Sequence, residues 1–586
     1  MSRRNAYPTR LLGVVLALSG ATFPTWAQQR PDSGTLQPQQ PQLPELPALG
    51  DPGLKTPAPR RAFLGTKEAV KPAGFRFIGN TVLSDAELLE VVARFVGKDS
   101  NTDEIVEAAE LLRKFYVERG YPLTDVYLPA QTFSREGGVI EFGVVEARVG
   151  KVKVTGDAGV SQGFGQQLAD QYLPRGALIS RASLEKAILL LRDQPGTNAE
   201  ASISPGGQPG EADIAIVLKS SGVGFETSAT LDNHGALSSG ALRAGVDLVV
   251  NTPLQMGDVL SARLQTSQRS GNTLGRLAYR LSAGSFGTRL NFSYTQNEYT
   301  LGEQFATLGA FGKSEVLGLG LVQPLIRGRE TNLFLSAGYD DKILKDTISQ
   351  SGSNAKKTVG LVRFGLLGNN ADTLGTGGGE PSRFTGGTTS FAATLSVGRL
   401  SLDAESLKLD IGDATAFGAR TAGRFAKLNV EFQRAQYFSE SISLLLNVSG
   451  QLASKNLTSA EKFALGGPQG VRGYPVGEGI GDDGVLANIE FRYRTPFELL
   501  KEAVTVIVFY DYGQVKRDHV RSDTVLNKSA AANNVTLDSI GVGAQIGKEG
   551  RFIGSLGLAT RVSNILPSTG DPDARPRLWA SVQYWF

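Results

Sequence analysis

Two short runs in the C-terminal half of the chain hold residue types that can grip one another. The first is Leu465-Gly466-Gly467-Pro468-Gln469-Gly470-Val471-Arg472-Gly473-Tyr474. Its glycines let backbone turn tightly and lie close against a wall, and Arg472 offers a rigid, planar fork of donors to a carboxylate. The second run, Phe509-Tyr510-Asp511-Tyr512-Gly513, sets one carboxylate among aromatics. If both runs reach one compartment, Arg472 and Asp511 form a bidentate, charge-assisted pair. An arginine in a glycine-rich loop is usually a solvated turn residue, so the pairing depends on the second run.

Other chemistries lack their residues. The chain has no cysteine, which removes disulfides, thiolate nucleophiles and cysteine zinc sites. His234 and His519 lie far apart and no G-x-S-x-G occurs, so neither a metal site nor a Ser-His-Asp hydrolase is expected. Gly479-Ile480-Gly481-Asp482-Asp483-Gly484 fits GxGxxG, but it lacks a strand-to-helix context and its aspartates would repel a pyrophosphate. Gly312-Lys313-Ser314 resembles the end of a phosphate loop, yet Thr307 stands where the opening glycine belongs. The net charge of +3, from 60 basic and 57 acidic residues, gives no case for a nucleic-acid partner. No cofactor, nucleotide, metal or catalytic residue is expected, and the chain does not read as an enzyme.

The elements that must position the two runs are strands. From Phe225 to Phe586 the sequence alternates with period two in stretches of about 8 to 11 residues, the span of a tilted transmembrane strand. Leu242, Ala244, Val246 and Leu248 stand against Arg243 and Asp247. Leu277, Tyr279 and Leu281 stand against Arg276 and Arg280, and Ala426, Leu428, Val430 and Phe432 against Lys427, Asn429 and Glu431. A barrel in lipid turns the apolar rows outward and the charged rows into its lumen. Segments begin near residues 225, 242, 260, 277, 290, 317, 333, 359, 391, 426, 442, 487, 504, 540, 556 and 578, which makes about sixteen, an even number as antiparallel closure requires.

Strand phase then places the pair. If the first strand rises from the periplasm, Ser441 to Leu452 is the eleventh strand, and the connection Ala453 to Gly484, which holds Arg472, is extracellular. In the thirteenth strand Val504, Val506, Val508 and Tyr510 form the outward row, which leaves Thr505, Ile507, Phe509 and Asp511 facing the lumen. A loop folded back into the barrel would bring Arg472 to Asp511. The last strand ends on Val582, Tyr584 and Phe586 and resembles the C-terminal signature by which the barrel-assembly machinery recognises bacterial outer-membrane barrels.

Ahead of the barrel, Arg3, Arg4 and Arg10 precede the apolar run Leu11 to Leu18, and Thr25-Trp26-Ala27 suits cleavage, so residues 1–27 read as a secretory signal. Residues 28–72 carry nine prolines, from Pro31 to Pro72, among Gln and Gly and read as an extended linker without a packed core. Residues 73–149 and 150–221 repeat one order of elements, β-α-α-β-β. In the first unit Ser84-Asp85-Ala86-Glu87 is a capping box, Thr102 opens the second helix, and Gly120 stops it. Residues 222–586 form the barrel. Beyond the leader no apolar run reaches the roughly 18 to 20 residues of a membrane helix.

GGPQGVRGY followed by FYDYG resembles the loop and strand motifs of two-partner secretion transporters of the TpsB type, the haemolysin and filamentous haemagglutinin secretors. The likeness runs over roughly residues 74 to 586. It implies a sixteen-stranded barrel behind two POTRA domains, and contact between Arg472 and Asp511 inside the barrel. It also implies an unfolded exoprotein cargo, of the adhesin or cytolysin class, taken up from the periplasm and secreted through the barrel. Outer-membrane lipid and the barrel-assembly machinery are the other expected partners. Many such transporters begin with a pore-plugging helix, but here prolines interrupt residues 28–59 and leave only Arg60 to Lys71 free of them. A barrel-assembly insertase would share the loop motif, whereas a passive porin would not need the tandem domains.

Overall fold

In the computed structural model, residues 31–37, 46–50, 54–55, 70–131, 137–156, 158–220, 222, 224–374, 386–412, 418–520, 532–569 and 571–586 are described. The leader expected over residues 1–27 lies outside the described residues, as does most of the expected linker, including residues 56–69.

Period-two alternation from residue 225 onward becomes one closed antiparallel barrel of sixteen strands. They are β1 (Phe225–Asp232), β2 (Arg243–Asn251), β3 (Val259–Ser267), β4 (Asn272–Ala283), β5 (Thr288–Thr300), β6 (Ala310–Arg327), β7 (Thr331–Ile348) and β8 (Ser353–Asp372). The second half comprises β9 (Gly386–Leu402), β10 (Gly423–Tyr437), β11 (Ile442–Ala453), β12 (Asp483–Leu499), β13 (Glu502–Lys516), β14 (Asn534–Lys548), β15 (Phe552–Arg561) and β16 (Arg577–Trp585). β16 pairs with β1, Ser581 opposite Asp232, so no strand edge is left to face lipid. Val246, Leu277, Val430 and Phe432 lie exposed on the outer wall. Their neighbours turn inward and pair: Arg243 with Asp232 at 2.7 Å, and Arg263 with Asp247 at 3.3 Å. Among the described residues no helix is long and apolar enough to cross a membrane.

Two small α+β domains precede the barrel. In the first, a strand at Pro72–Ile78 leads to helices α1 (Asp85–Val92) and α2 (Thr102–Glu118) and then to strands Asp125–Tyr127 and Gly138–Val145. Ser84 and Glu87 form the capping box of α1. α2 opens at Thr102, as the sequence indicates, and its cap is Asn101: the Asn101 side chain accepts from the Glu104 N–H while the Glu104 carboxylate accepts from the Asn101 N–H. Phe75 and Phe77 stack on Phe142, which is fully buried and contributes about 1.5–3 kcal/mol of burial free energy.

The second domain repeats the order, with a strand at Arg148–Thr155, α3 (Gln162–Tyr172), α4 (Arg181–Arg192), and strands Thr197–Pro205 and Glu211–Ser220. Both sheet edges are occupied. The amides of Gln162 and Gln166 bond the Val154 and Val152 carbonyls, and Gln166 accepts from the Val154 N–H, all on the Arg148–Thr155 side. On the other side Leu54–Lys55 pairs in parallel with Ala201 and Ser202.

The end of α4 locks this domain onto the barrel's periplasmic rim. Asp193 accepts from Arg327 Nε (2.9 Å) and Nη2 (2.8 Å) and lies 3.2 Å from Arg289 Nη2, with Asp193 and Arg327 almost wholly out of solvent. Removing the carboxylate leaves two guanidinium groups without their shared partner, a loss of about 3–5 kcal/mol. Asp193→Ala is therefore expected to keep a folded, heat-modifiable barrel while limited proteolysis cuts between the second domain and the barrel faster than in the wild type.

Candidate functional site

The connection after β11 does not stand out into the medium. It turns back into the lumen, where Phe463–Ala464 pairs with Ile480–Gly481 and a bridge between Gly466 and Val471 closes the tip. Leu465, Val471 and Tyr474 are fully buried against Leu486, Val515, Val535 and Leu537 of the barrel wall. This apolar peg supplies the drive for insertion, and the polar contacts around it fix its position.

Arg472 makes those contacts. Its Nη2 donates to Asp511 Oδ1 at 2.6 Å, its Nε lies 3.0 Å from Oδ2, and its backbone N–H donates to Oδ2 at 3.0 Å. Its remaining terminal nitrogen reaches Glu490 of β12 at 2.7 Å. Asp511, on β13 and 0% exposed, also accepts from Asn488 Nδ2 and Ser539 Oγ, each at 2.8 Å. Arg492 balances Glu490 at 2.6 Å, so two arginines face two carboxylates. The Arg472 guanidinium stacks over the Phe509 ring at 3.4 Å, and its carbonyl accepts from Trp579 Nε1 at 2.7 Å.

The flanking residues show why the motif needs small side chains. A Cβ on Gly473 would come within 2.8 Å of the Ser539 Cβ and 3.0 Å of the Arg561 backbone nitrogen, so only glycine brings the loop this close to the wall. On Gly513 it would meet Leu465 at 2.7 Å and Val471 at 3.1 Å, so the strand motif keeps a hollow for the peg. Gly467 sits at φ +120° within the turn, and Gly466 packs under the Pro475 carbonyl. The Tyr474 hydroxyl bonds Ser563 Oγ (2.9 Å) and the Ile565 carbonyl (3.1 Å) of the loop after β15. Val582, Tyr584 and Phe586 do not join this site: they lie exposed on the outside of the last strand, with Tyr584 edge-on to Phe586 at 5.3 Å.

The two sequence motifs point to Arg472 and Asp511, and around them the structure adds Glu490, Asn488, Ser539 and Trp579. On β12, in the same alternation as β13, Asn488 and Glu490 take the inward row between exposed Ile489 and Phe491. Two further anchors of the loop carry no sequence signal. Glu461 is clamped by Lys342 (2.6 Å) and Lys427 (3.0 Å), and Glu478 accepts from Ser568 N (2.6 Å) and Oγ (2.7 Å).

The N-terminal segment also enters the lumen. Pro31–Gln37 forms a turn in the extracellular half, where Asp32 meets Lys357 at 3.0 Å and Ser459 Oγ at 2.7 Å, and Ser33 N donates to Asp346 at 2.7 Å. Nearer the periplasm, the Ala48 carbonyl accepts from Arg327 and that of Pro47 from Asn369. The expected linker is thus, over these pieces, bound to the barrel wall, each piece adding a carbonyl, N–H or carboxylate to inward polar groups such as Arg327 and Asp346 that also bond within the wall. The described residues of this segment contain no helix, and residues 60–69 lie outside them.

Comparisons with known proteins agree with this architecture. Residues 210–536 match the family model described as haemolysin secretion/activation protein ShlB/FhaC/HecB, and residues 70–147 match the ShlB-type POTRA domain. The heme/hemopexin transporter protein HuxB of Haemophilus influenzae is 25% identical over 560 residues, covering 94% of each chain. The outer membrane transporter CdiB of Dickeya dadantii is 21% identical, covering 80% of this chain and 81% of its own. Among solved structures, CdiB from Escherichia coli superposes with a TM-score of 0.67 at 19% identity, over 90% of this chain and 93% of that one. CdiB from Acinetobacter baumannii gives 0.60 at 13% identity, over 93% and 95%.

Two expectations follow from the site. Val471 is fully buried and the chain has no cysteine, so Val471→Cys creates a single, shielded thiol. Adding Asp511→Ala leaves Arg472 with Glu490 as its one remaining carboxylate and is expected to speed maleimide labelling of that thiol by about tenfold or more. The second concerns pH. Burial alone would raise the Glu461 carboxyl, but Lys427 and Lys342 override it and hold it at about 2. A carboxyl held below its ordinary value contributes fully above about pH 4.3 and loses that contribution only as pH falls toward about 2. Channel conductance in planar bilayers should therefore be equally low at pH 7 and pH 5, and Glu461→Gln should raise it at both.

Proposed function

The chain belongs to the haemolysin secretion/activation family of outer-membrane transporters, and from that premise we propose how its own residues pass a partner exoprotein to the outside. It is an outer-membrane transporter with periplasmic N-terminal domains, and it secretes an exoprotein through its barrel. The cargo arrives unfolded and is of the adhesin or cytolysin class. The periplasmic domains take it up by strand addition, in which backbone hydrogen bonds give affinity for an extended segment whatever its sequence. The second domain's edges are already filled, one by Gln162 and Gln166 and the other by Leu54–Lys55. Capture there requires Leu54–Lys55 to leave.

The observation that carries the reading is the grip of Arg472 on Asp511 inside the lumen, which lays the loop across the path of a chain passing through. Arg472 and Asp511, with Glu490, hold the loop in a defined position; Gly466, Gly467, Gly473 and Gly513 permit the close fit, and Val471, Tyr474 and Phe509 pack it. Breaking a buried ion pair costs more than the intact pair contributes, so the loop has one well-defined docked position. Folding of cargo outside supplies direction, since the chain carries no nucleotide motif. No catalytic step enters this cycle. Val582, Tyr584 and Phe586 serve insertion, read by the barrel-assembly machinery, and leave the channel itself untouched.

Secretion of a cognate cargo into the medium tests the loop. Arg472→Ala and Asp511→Ala are each expected to give a membrane-inserted, heat-modifiable barrel and about tenfold less secreted cargo, with Arg472→Lys in between because a lysine cannot make the bidentate contact. Undiminished secretion by both alanine variants would remove the loop from the mechanism.

A further inference from the structure

On the outer wall of the barrel, three lysines stand directly opposite one another on adjacent strands. Lys313 of β6 is the cross-strand partner of Lys345 of β7, and Lys345 is the partner of Lys356 of β8. All three point away from the lumen, since Ser314, Leu344, Asp346, Val359 and Leu361 fill the inward positions around them and are buried. Like charges placed opposite one another across a sheet are destabilising. Lys313 is partly compensated by Glu315 at 3.1 Å and Glu298 at 3.7 Å. Lys345 and Lys356 are exposed and form no direct ion pair among the described residues, although Lys345 also lies within electrostatic reach of Glu315.

Their height on the barrel identifies what faces them. Below the lysines, Leu317, Leu319 and Leu321 on β6, Leu335 and Tyr339 on β7, and Val362, Phe364 and Leu366 on β8 are exposed apolar residues of the lipid-facing band. From Ile326 at the periplasmic end of β6 to Leu317, a strand tilted about 45° climbs about 2.3 Å per residue, or about 21 Å, most of the roughly 25 Å apolar height of such barrels. Glu315 and Lys313 are the next outward residues, so the lysine row meets the headgroups of the outer leaflet.

The neighbouring loop continues the same chemistry. Helix α5 (Ala404–Ile411) begins at Asp403, whose carboxylate accepts the Lys356 N–H and whose own N–H donates to the Lys356 carbonyl. It buries Asp410 and leaves Leu407, Leu409 and Ile411 exposed, Leu409 at 72%. Apolar side chains turned out beside a row of three ammonium groups, above a lipid-facing wall, fit an anionic lipid better than a soluble partner.

We propose that Lys313, Lys345 and Lys356 bind the phosphate groups of a phosphorylated glycolipid of the outer leaflet. The three ammonium groups act as point charges on the phosphates, while the acyl chains lie along the apolar rows of β6 to β8. The site lies on the face of the wall opposite the lumen and is independent of the loop that carries Arg472.

The test is a titration of the full-length barrel in neutral detergent, read by the temperature at which the heat-modifiable band is lost. Bisphosphorylated lipid A is expected to raise that temperature at low ionic strength; its dephosphorylated form and inorganic phosphate are not. Lys345→Gln/Lys356→Gln should need about tenfold or more lipid A for the same shift, and Lys345→Arg/Lys356→Arg should bind like the wild type. Equal response of the wild type and the glutamine variant, or an equal response to dephosphorylated lipid, would overturn the site. A shift produced by inorganic phosphate alone would overturn the lipid assignment.

Discussion

A membrane strand has no water to satisfy its backbone on the lipid side, and that constraint orders everything else in the molecule. Closure of β16 onto β1 pairs the last backbone edge, and alternation then forces each strand to sort its side chains, apolar to lipid and polar to the lumen. The lumen therefore receives charged rows, while Lys313, Lys345 and Lys356 stand on the outer face above the apolar band. Arg243 with Asp232, Arg363 with Asp340 and Lys342 with Glu461 are consequences of that sorting: a row of charges confined in a narrow space must find partners there. The returning loop and the N-terminal turn enter an interior already populated with hydrogen-bonding groups.

The loop is held by two kinds of force with different work to do. Burial of Leu465, Val471 and Tyr474 against the wall is favourable and largely indifferent to exact position. The Arg472 pair contributes little net stability, because two charges were desolvated to make it, yet a shift of the loop by a residue would leave Asp511 buried without its main partner. Anything that took the place of the loop would have to supply donors to Asp511 in place of the Arg472 guanidinium and backbone N–H, and acceptors for Trp579 Nε1 and Asn488 Nδ2 in place of the Arg472 and Gly470 carbonyls. A passing polypeptide carries backbone donors and acceptors in abundance, and this makes it a chemically suitable replacement.

Strand identity and phase were legible in the sequence because they depend on a local rule. The alternation around Leu242, Leu277 and Leu428 reports which side of a wall each residue faces, and counting sixteen segments follows from that rule. Reading phase one strand further would have reached Glu490. Glu461 and Glu478 could not be read in this way, since they sit in a connection whose path is set by tertiary contacts with Lys342, Lys427 and Ser568. The prolines between residues 31 and 59 report stiffness and an extended backbone but say nothing about what that backbone will touch, so docking of Asp32 on Lys357 was invisible.

The N-terminal segment links compartments that are otherwise joined only at the rim. One continuous stretch of chain touches Asp346 and Lys357 in the extracellular half of the lumen, Arg327 and Asn369 toward the periplasm, and then the Thr197–Pro205 edge through Leu54 and Lys55. Arg327 is shared: the same guanidinium that receives the Ala48 carbonyl grips Asp193 at the end of α4. A segment that pairs with the Thr197–Pro205 edge must take the place of Leu54–Lys55, and a two-residue parallel pairing is a weak competitor for a longer strand. The rim arginine thus binds the N-terminal segment and the second periplasmic domain through one guanidinium, so the two docking contacts share a single side chain.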